Sequence, residues 1–343
     1  MRVAVVGATG AVGRMMLRIL EERRFPADEV LAFASERSIG VRLPYGGDQL
    51  TVRSEAEADA EWGEIDLGLF SAGADRSRAL APPATKAGTV VVDNSSAFRM
   101  HPEVPLVIPE INPEALDGHT GLIANPNCTA IAALMAVAPL HRRAGLATLV
   151  LSSYQSVSGA GHKGVQELAE QVAKLSGSEE MLSAPDPDAL PVGEVFGRTI
   201  AFNILPRIDS FEDDASTKEE RKIGEETRKI LDLPELPVAA TAVRVPVLVA
   251  HSVSIYARFE RPIDPDEARG LLAEASGVEV VDEPSADRYP TPLDAAGKDD
   301  VLVGRIRQPA GEPTALLLFA IADNLRKGAA LNAVQIAELV TAR

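Results

Sequence analysis

The stretch Arg2-Val-Ala-Val-Val-Gly7-Ala-Thr-Gly10-Ala-Val-Gly13 joins a short apolar segment to three glycines spaced three residues apart. Residues 3–6 predict a buried strand, and the apolar periodicity from Ala11 to Arg24 predicts the helix that follows. Glycines at such a joint allow a tight turn and let a pyrophosphate approach the amino end of the helix. The spacing differs from G-x-G-x-x-G, so the inference of a dinucleotide site depends on the position between strand and helix. A glycine-rich turn that binds no ligand is the alternative.

The first 125 residues continue this alternation of strand and helix. The further predicted elements are a helix at Arg76–Ala87 and strands at Glu29–Ala34, Ile65–Ser71, Thr89–Asp93 and Leu106–Ile108. Alternation of this kind predicts a parallel sheet with helices on both faces. We therefore expect an α/β chain that begins with a Rossmann-like dinucleotide-binding domain.

From about residue 146 the predicted strands become longer and the helices fewer. These strands are Leu146–Gln155, Val238–Val245, Ser252–Phe259, Val301–Arg307 and Thr314–Ala322. The pattern predicts a second, α+β domain with a mainly antiparallel sheet. Ser176–Gly197 is rich in Pro, Asp, Gly and Ser and predicts a surface loop, whereas Gly328–Thr341 predicts a final amphipathic helix.

Composition limits the classes of function. The chain has 343 residues, which favours two domains, and its 46% apolar and 24% charged residues are typical of a globular protein. A formal net charge of −16 argues against nucleic acid and membrane surfaces as partners. No apolar run approaches about 18 residues, and the first strand is too short for a signal-peptide core. The single cysteine excludes an intramolecular disulfide, as expected of a cytoplasmic protein.

The end of the second predicted strand reads Ala34-Ser35-Glu36-Arg37-Ser38. This segment should meet the adenosine ribose, where a carboxylate favours NAD and serine or arginine side chains hold a 2′-phosphate. The two serines and the arginine therefore predict NADP, although Glu36 leaves NAD open. Ala72 and Gly73 form a small-residue tip after the third strand and are predicted to lie along the dinucleotide.

Cys128 lies in Ile-Ala-Asn-Pro-Asn-Cys-Thr-Ala-Ile-Ala, between the apolar end of a strand and an apolar helical run. Residues 125–127 predict a turn, and Thr129–Leu140 predicts the helix. A thiol at the amino end of a helix is expected to have a lowered pKa and free backbone N–H groups that could bind an oxyanion. Cys128 is therefore a candidate nucleophile, and the alternative is a small buried hydrophobic residue.

A reactive thiol needs a base, and histidine is the usual one. Of the five histidines, two have loop-like neighbours and two lie at the ends of predicted helices. His251 lies between two apolar strands in an otherwise buried context. It is the candidate base that the sequence favours.

Several further motifs make the chain recognisable. They are Asp93-Asn-Ser-Ser-Ala-Phe-Arg99, Gln155-Ser-Val-Ser-Gly-Ala-Gly161, Glu219-Glu-Arg-Lys222, and Arg244-Val-Pro-Val247 followed by His251. Together with Asn-Pro-Asn-Cys128-Thr, they resemble the bacterial type of aspartate-semialdehyde dehydrogenase in that family's order. The resemblance runs from Gly7 to the segment Asp323-Asn-Leu-Arg-Lys-Gly-Ala-Ala330. Each motif is modest singly, but the set is specific.

The resemblance implies a role for each matching residue. Cys128 would form an acyl-thioester, His251 would act as general acid/base, and Gln155 would orient the substrate. Arg244 would hold the substrate α-carboxylate, and Glu219 would face its α-ammonium. The residues implied in phosphate and oxyanion binding are Arg99, Lys222 and Asn127. With those named above, the predicted NADP contacts are Gly7, Thr9, Gly10, Ala11, Val12, Ser35, Arg37, Ser38, Ala72, Gly73, Ser158, Gly159 and Asn324.

The chemistry of these side chains agrees with the implied roles. A guanidinium offers a planar fork of donors to carboxylate and phosphate groups. Glu219 and Lys222 are three residues apart on a predicted helix at Thr217–Leu231, so both can face one site. Taken without the resemblance, an ordinary surface ion pair would be the preferred interpretation of these two residues.

The resemblance implies NADP-dependent reductive dephosphorylation of L-aspartyl-4-phosphate to L-aspartate-4-semialdehyde, on the route to lysine, threonine and methionine. It also implies a homodimer without a metal, in which residues 1–127 and helix 324–343 bind NADP. Residues 128–323 would carry catalysis, substrate binding and dimerisation. One alternative is N-acetyl-γ-glutamyl-phosphate reductase, whose acylated substrate has no ammonium for Glu219 to face. A non-catalytic NADP-binding homologue is another, although it would have lost part of the Cys, Gln, Arg and His set.

Overall fold

The structure, a computed structural model, describes residues 1–178 and 182–342. The helices of its first half are α1 (Ala11–Glu22), α2 (Glu55–Glu61) and α3 (Ala74–Lys86). The strands are β1 (Arg2–Val6), β2 (Glu29–Ala34), β3 (Arg42–Tyr45), β4 (Asp48–Thr51), β5 (Arg53–Ser54), β6 (Leu67–Phe70), β7 (Val90–Asp93) and β8 (Leu122–Ala124). Six of them form one sheet in the order β5-β2-β1-β6-β7-β8, and every neighbouring pair in it is parallel. The predicted parallel α/β domain is therefore confirmed.

The second half contains the remaining elements. Its strands are β9 (Leu146–Gln155), β10 (Val238–Arg244), β11 (His251–Phe259), β12 (Val278–Val280), β13 (Val301–Arg307) and β14 (Ala315–Ala322). Its helices are α4 (Cys128–Ala144), α5 (Gly161–Leu175), α6 (Lys218–Leu231), α7 (Pro265–Ala273), α8 (Pro292–Ala295) and α9 (Leu331–Thr341). The second sheet has the order β10-β9-β11-β14-β13-β12, with antiparallel pairs in the middle and one parallel pair at each edge. The predicted second, mainly antiparallel domain is confirmed.

Helix α4 connects the two halves. It is apolar through residue 140 and buried along most of its length, as a helix enclosed on all sides must be. Ile131 and Leu134 belong to the same core as Val253 and Ile255 of β11. Because α4 follows β8 directly, its first turn lies where the first sheet ends and the second core begins.

The predicted C-terminal helix is present, but it begins with a π-helical turn and is more buried than an amphipathic surface helix. Arg326–Ala330 forms a π-helical turn, and α9 follows from Leu331. Leu331, Val334 and Ile336 pack in the core of β1 and α1. The helix therefore closes one face of the first sheet, although it follows the last strand of the second.

The predicted strand at Leu106–Ile108 is wrong. The segment forms only an isolated bridge between Leu106 and Ala124. The Val107 N–H bonds the Ala124 carbonyl, and the Asn112 side chain accepts the hydrogen bond of the Ile108 backbone N–H (2.9 Å). Proline at positions 105 and 109 removes the donors on either side.

The predicted loop at Ser176–Gly197 is described in part, because residues 179–181 lie outside the described residues. The described portion contains turns and one short 3₁₀ turn at Pro187–Ala189. Within the described ranges, no helix has the length and apolar character needed to cross a membrane.

Candidate active site

The turn between β8 and α4 carries the predicted nucleophile. Asn127 caps α4, and its Oδ1 accepts hydrogen bonds from the backbone N–H groups of Thr129 (2.8 Å) and Ala130 (3.2 Å). Cys128 is the first residue of the helix. The sequence predicted free backbone N–H groups near the thiol. That prediction is wrong for Thr129 and Ala130, because the Asn127 side chain accepts hydrogen bonds from both of their N–H groups.

The ionisation of Cys128 also differs from expectation. The residue is partly exposed, yet protein atoms crowd the thiol, and burial raises its pKa to about 11. The Glu219 carboxylate raises this pKa further, while the Arg99 and Arg244 guanidinium groups oppose the rise. The pKa lowering predicted from the helix end is therefore wrong, because desolvation of the thiolate outweighs it here.

A cavity of about 150 Å³ lies beside Cys128 and reaches the edge of the first sheet. Val12 of the glycine turn and Arg99 line it from the first half of the chain. Gly159 and Asn324 line it from the second half. Asn127 and Ser158 line it too, so the structure brings the thiol, two residues predicted in phosphate and oxyanion binding, and four predicted cofactor contacts to a single space.

His251, the first residue of β11, is fully buried. Its Nδ1 accepts a hydrogen bond from the Ser156 backbone N–H (3.1 Å), and the Ser156 hydroxyl lies 3.0 Å from the same nitrogen. Nε2 has no hydrogen-bond partner within the described ranges. Burial and then the Arg244 guanidinium hold the pKa of the imidazole well below 6.5, against the opposing effect of the Ala250 backbone. The ring is therefore neutral near pH 7.

Gln155 and Arg244 lie side by side at the ends of paired strands, because they are partners in the register of β9 and β10. Gln155 Nε2 donates to Glu219 Oε1 (3.0 Å), and Arg244 Nη1 donates to the Ser156 carbonyl (2.7 Å). Arg244 is only 7% exposed, and its guanidinium lies 5.8 Å from the centre of the Phe196 ring. No carboxylate of the described residues forms a salt bridge with Arg244. A buried guanidinium without an acidic partner is suited to bind a carboxylate ligand.

Helix α6 places two buried carboxylates against the nucleophile turn. Glu219 Oε1 accepts from the Asn127 side-chain amide (3.0 Å), and Glu226 Oε2 accepts from the Asn127 backbone N–H (2.6 Å). Glu226 Oε1 also accepts from Arg99 Nη1 (3.0 Å). Arg99 donates in addition to two backbone carbonyls at 2.8 and 2.9 Å. The guanidinium therefore connects the end of the first sheet to α6 at the wall of the cavity.

Lys222 lies apart from Arg99. Its Nζ is 2.8 Å from Asp209 Oδ2 and 3.8 Å from Glu219 Oε2. Asp209 and Arg244 line a neighbouring cavity of about 500 Å³, whereas Arg99 lines the smaller one beside the thiol. The structure does not bring the two predicted phosphate ligands to one space, and an anion that binds Lys222 must compete with Asp209.

The predicted cofactor residues of the first half follow β1, β2 and β6, which are neighbours in a parallel sheet. The carboxyl edge of such a sheet is where dinucleotides bind. Thr9 Oγ1 and Ser38 Oγ are 3.3 Å apart, so the glycine turn meets the segment expected at the ribose. No side chain caps α1, and its first turn contains no acidic residue. The amino end of α1 is therefore suited to receive an anion.

Two glycines of the turn are required by close packing. A Cβ on Gly7, which has φ of 82°, would lie 2.3 Å from the Ser71 carbonyl oxygen. A Cβ on Gly13 would lie 2.3 Å from the Gly7 carbonyl oxygen. A side chain at either position would therefore collide with the backbone and distort the turn that the predicted pyrophosphate must approach.

Sequence reasoning missed Glu226 and Gly328. Glu226 has a recognisable signal, because residues 219, 222 and 226 share one face of a helix. A Cβ on Gly328 would lie 3.0 Å from the Cys128 Cβ, so this glycine lets the π-helical turn approach Cys128. No motif or residue spacing in the sequence indicates the contact between Gly328 and Cys128.

Comparison with known proteins gives matches over nearly the whole chain. Residues 2–119 match a family model described as the NAD binding domain of semialdehyde dehydrogenase, and residues 137–327 match its dimerisation domain. Aspartate-semialdehyde dehydrogenase of Streptomyces akiyoshiensis is 52% identical over 347 residues, covering 100% of this chain and 99% of that protein. The Aquifex aeolicus enzyme is 48% identical, with 99% and 97% covered. The crystal structure of aspartate semialdehyde dehydrogenase II of Vibrio cholerae, complexed with ASA, has a TM-score of 0.92 at 42% identity, with 99% and 98% covered.

Proposed function

Because the chain belongs to the aspartate-semialdehyde dehydrogenase family, we propose that it interconverts L-aspartyl-4-phosphate and L-aspartate-4-semialdehyde with NADP and phosphate. The chain is an oxidoreductase of amino-acid biosynthesis. The observation that supports the proposed mechanism is the cavity that joins Cys128 to Val12 of the glycine turn and to Gly159. A thiol in that space can react with a carbonyl carbon held beside a nicotinamide ring.

In the reductive direction, the Cys128 sulfur attacks the acyl carbon of the substrate, and phosphate leaves. A cysteine suits this step because its sulfur is a good nucleophile and later a good leaving group. Bound NADPH supplies the hydride that reduces the resulting thioester. Collapse of the hemithioacetal then breaks the C–S bond and releases the aldehyde, with His251 as the residue that exchanges protons.

Substrate recognition falls to the side chains around the thiol. Arg244 is buried beside Gln155 and binds the α-carboxylate through its planar donors. Glu219 Oε2 faces the α-ammonium, while its Oε1 is occupied by Gln155. Arg99 donates to the departing phosphate from the cavity wall, and Asn127 holds the turn in place. Lys222 assists in phosphate binding only after its ion pair with Asp209 breaks.

NADP is held along the carboxyl edge of the first sheet. The turn at residues 7–13 and the uncapped end of α1 bind the pyrophosphate, and Ala72 and Gly73 line its path. Ser35, Arg37 and Ser38 bind the 2′-phosphate and give NADP its preference over NAD. Ser158, Gly159 and Asn324 lie at the nicotinamide end, across the cavity from Val12.

The proposal also covers the division of the chain into domains and its oligomeric state. Residues 1–127 and 324–343 form the cofactor-binding part, and residues 128–323 form the part for catalysis and dimerisation. The match of residues 137–327 to a dimerisation domain supports a homodimer. A cytoplasmic location stays a prediction from composition.

The direct test is phosphate-dependent reduction of NADP by the purified protein. Aspartate semialdehyde should be oxidised and N-acetylglutamate semialdehyde should not, and NAD should replace NADP poorly. Cys128→Ala should abolish turnover and leave NADP binding intact, since it removes only the sulfur. Normal turnover in that variant, or equal rates with the two aldehydes, would refute the proposal. No turnover with either aldehyde would favour a non-catalytic homologue.

A further inference from the structure

The two ring nitrogens of His251 have unequal surroundings. Nδ1 accepts a hydrogen bond from the Ser156 backbone N–H at 3.1 Å, and a backbone N–H can only donate. The lone pair of the neutral ring must then lie on Nδ1 and its proton on Nε2. We infer that Ser156 holds His251 as the Nε2–H tautomer, so that His251 first donates a hydrogen bond to the substrate carbonyl oxygen and does not take the Cys128 thiol proton. This inference rests on the proposed function.

Asn324 holds the segments on either side of the imidazole. Its Oδ1 accepts hydrogen bonds from the Ala250 backbone N–H (3.0 Å) and the Ser156 hydroxyl (3.1 Å). Ala250, the residue before His251, has φ of 75°, a left-handed conformation that alanine rarely adopts. Such strain persists only where the surroundings fix it. Ser156 and Asn324 are therefore positioning residues for His251.

The Nε2–H group lies beside Gly159, a residue that lines the cavity next to Cys128. Nε2 is buried and has no partner among the residues that the structure describes. A Cβ on Gly159 would lie 3.1 Å from Nε2 and 2.8 Å from Arg244 Nη1, and Gly159 lines the cavity beside Cys128. Because position 159 has no side chain, His251 Nε2 and Arg244 Nη1 can both lie close to this wall of the cavity. A substrate carbonyl oxygen there would satisfy the buried donor and would be stabilised as it gains negative charge.

The proton balance of acylation follows from this tautomer. The bond between Cys128 Sγ and the acyl carbon forms, and the bond between that carbon and the phosphate oxygen breaks. The thiol proton passes to the departing phosphate, while Nε2–H keeps its own proton and supports the carbonyl oxygen. A thiol whose pKa is raised by burial retains its proton until such an acceptor arrives.

The tautomer can be measured directly by NMR on the full-length protein with ¹⁵N-labelled histidine. The His251 signals, assigned by their loss in His251→Gln, should show a protonated Nε2 and an unprotonated Nδ1 at neutral pH. Ser156→Ala should preserve this pattern, because the backbone donor remains. A protonated Nδ1 in the wild type, directed at the Ser156 hydroxyl, would overturn the inference.

The donor role can be tested by the burst of phosphate released from aspartyl phosphate when NADPH is omitted. His251→Gln keeps an N–H donor but cannot accept a proton, whereas His251→Leu can do neither. We expect the glutamine variant to retain the burst rate within about tenfold and the leucine variant to lose about 100-fold or more. Equal losses would overturn the donor role. Absence of a burst in the wild type would overturn the proposed function and the donor role together, while the NMR result would still decide the tautomer.

Discussion

Gly159→Ala is the substitution that places the smallest new group between the proposed reacting residues. The added Cβ would lie 2.8 Å from Arg244 Nη1, 3.1 Å from His251 Nε2 and 3.2 Å from its Cε1. Unstrained contacts between such atoms require about 3.5 Å or more, so each side chain must retreat by about half an ångström. Neither can do so freely, because Arg244 is bonded to the Ser156 carbonyl and His251 is fully buried.

The expected loss follows from that displacement. Misplacing catalytic groups by about 1 Å costs roughly 100-fold in rate, which corresponds to about 2.7 kcal/mol of transition-state stabilisation. We therefore expect kcat/KM for aspartate semialdehyde to fall by about 30-fold to 100-fold in Gly159→Ala. Overpacking should also lower the free energy of unfolding by about 1–3 kcal/mol, which leaves the protein folded at 25 °C.

The assay is steady-state NADP reduction, with NADP affinity and thermal unfolding measured on the same preparation. Gly270→Ala is the matched control, because Gly270 lies on α7 with open space around its Cβ position. The control should retain full activity and gain up to about 1 kcal/mol of stability as a helical Gly→Ala change. If Gly159→Ala keeps kcat/KM within threefold of the wild type, the proposed contacts of His251 and Arg244 with the substrate are refuted.

Three further results are expected. The rate of Cys128 alkylation by iodoacetamide should rise about tenfold per pH unit between roughly pH 7 and 10, because the thiolate fraction grows toward a pKa of about 11. Mass spectrometry measures this rate, since Cys128 is the only cysteine in the sequence. A rate that reaches a plateau near pH 7 would contradict the raised pKa. Arg244→Leu removes a charged hydrogen bond of about 1.5–3 kcal/mol and should raise KM roughly 10-fold to 100-fold. An unchanged KM would contradict the proposed role of Arg244 in substrate binding. Glu226→Gln has one acceptor oxygen for two buried donors and should lower the free energy of unfolding by about 1–3 kcal/mol; unaltered thermal unfolding would show that the carboxylate does not stabilise the turn.

The parts of the fold that could be predicted are those with a local signal. The apolar strand before Gly7, the turn at residues 125–127 and the ten-residue strand Leu146–Gln155 each follow from adjacent residues. Leu106–Ile108 has the same apolar character but forms no strand, because Pro105 and Pro109 remove the flanking donors and Asn112, four residues further on, accepts the Ile108 N–H. The prolines are visible in the sequence, whereas the hydrogen bond from Ile108 to Asn112 depends on how the following turn folds.

The ionisation of Cys128 shows the same limit at the site. Its position at a helix end can be read from the sequence, and that position alone predicts a lowered pKa. Burial raises this pKa most, and the Glu219 carboxylate of α6, 91 residues further along the chain, raises it further. Gly328 of the π-helical turn also packs closely against Cys128. Local sequence can therefore indicate a candidate nucleophile, whereas the proton affinity of its sulfur depends on packing between distant segments.

The charges of the site explain how a chain with a net charge of −16 can bind an anionic substrate. Arg99 is already paired with Glu226, and Lys222 with Asp209, so each of these cations is partly neutralised before any ligand arrives. Burial raises the pKa of Glu226 against the effect of Arg99, which indicates that this carboxylate is held at a cost in desolvation. Arg244 is the buried cation without such a partner in the described ranges, so under the proposed function the substrate carboxylate gains most there. Binding of the substrate should therefore begin at Arg244, and the phosphate then competes with Glu226 and Asp209 for the remaining donors.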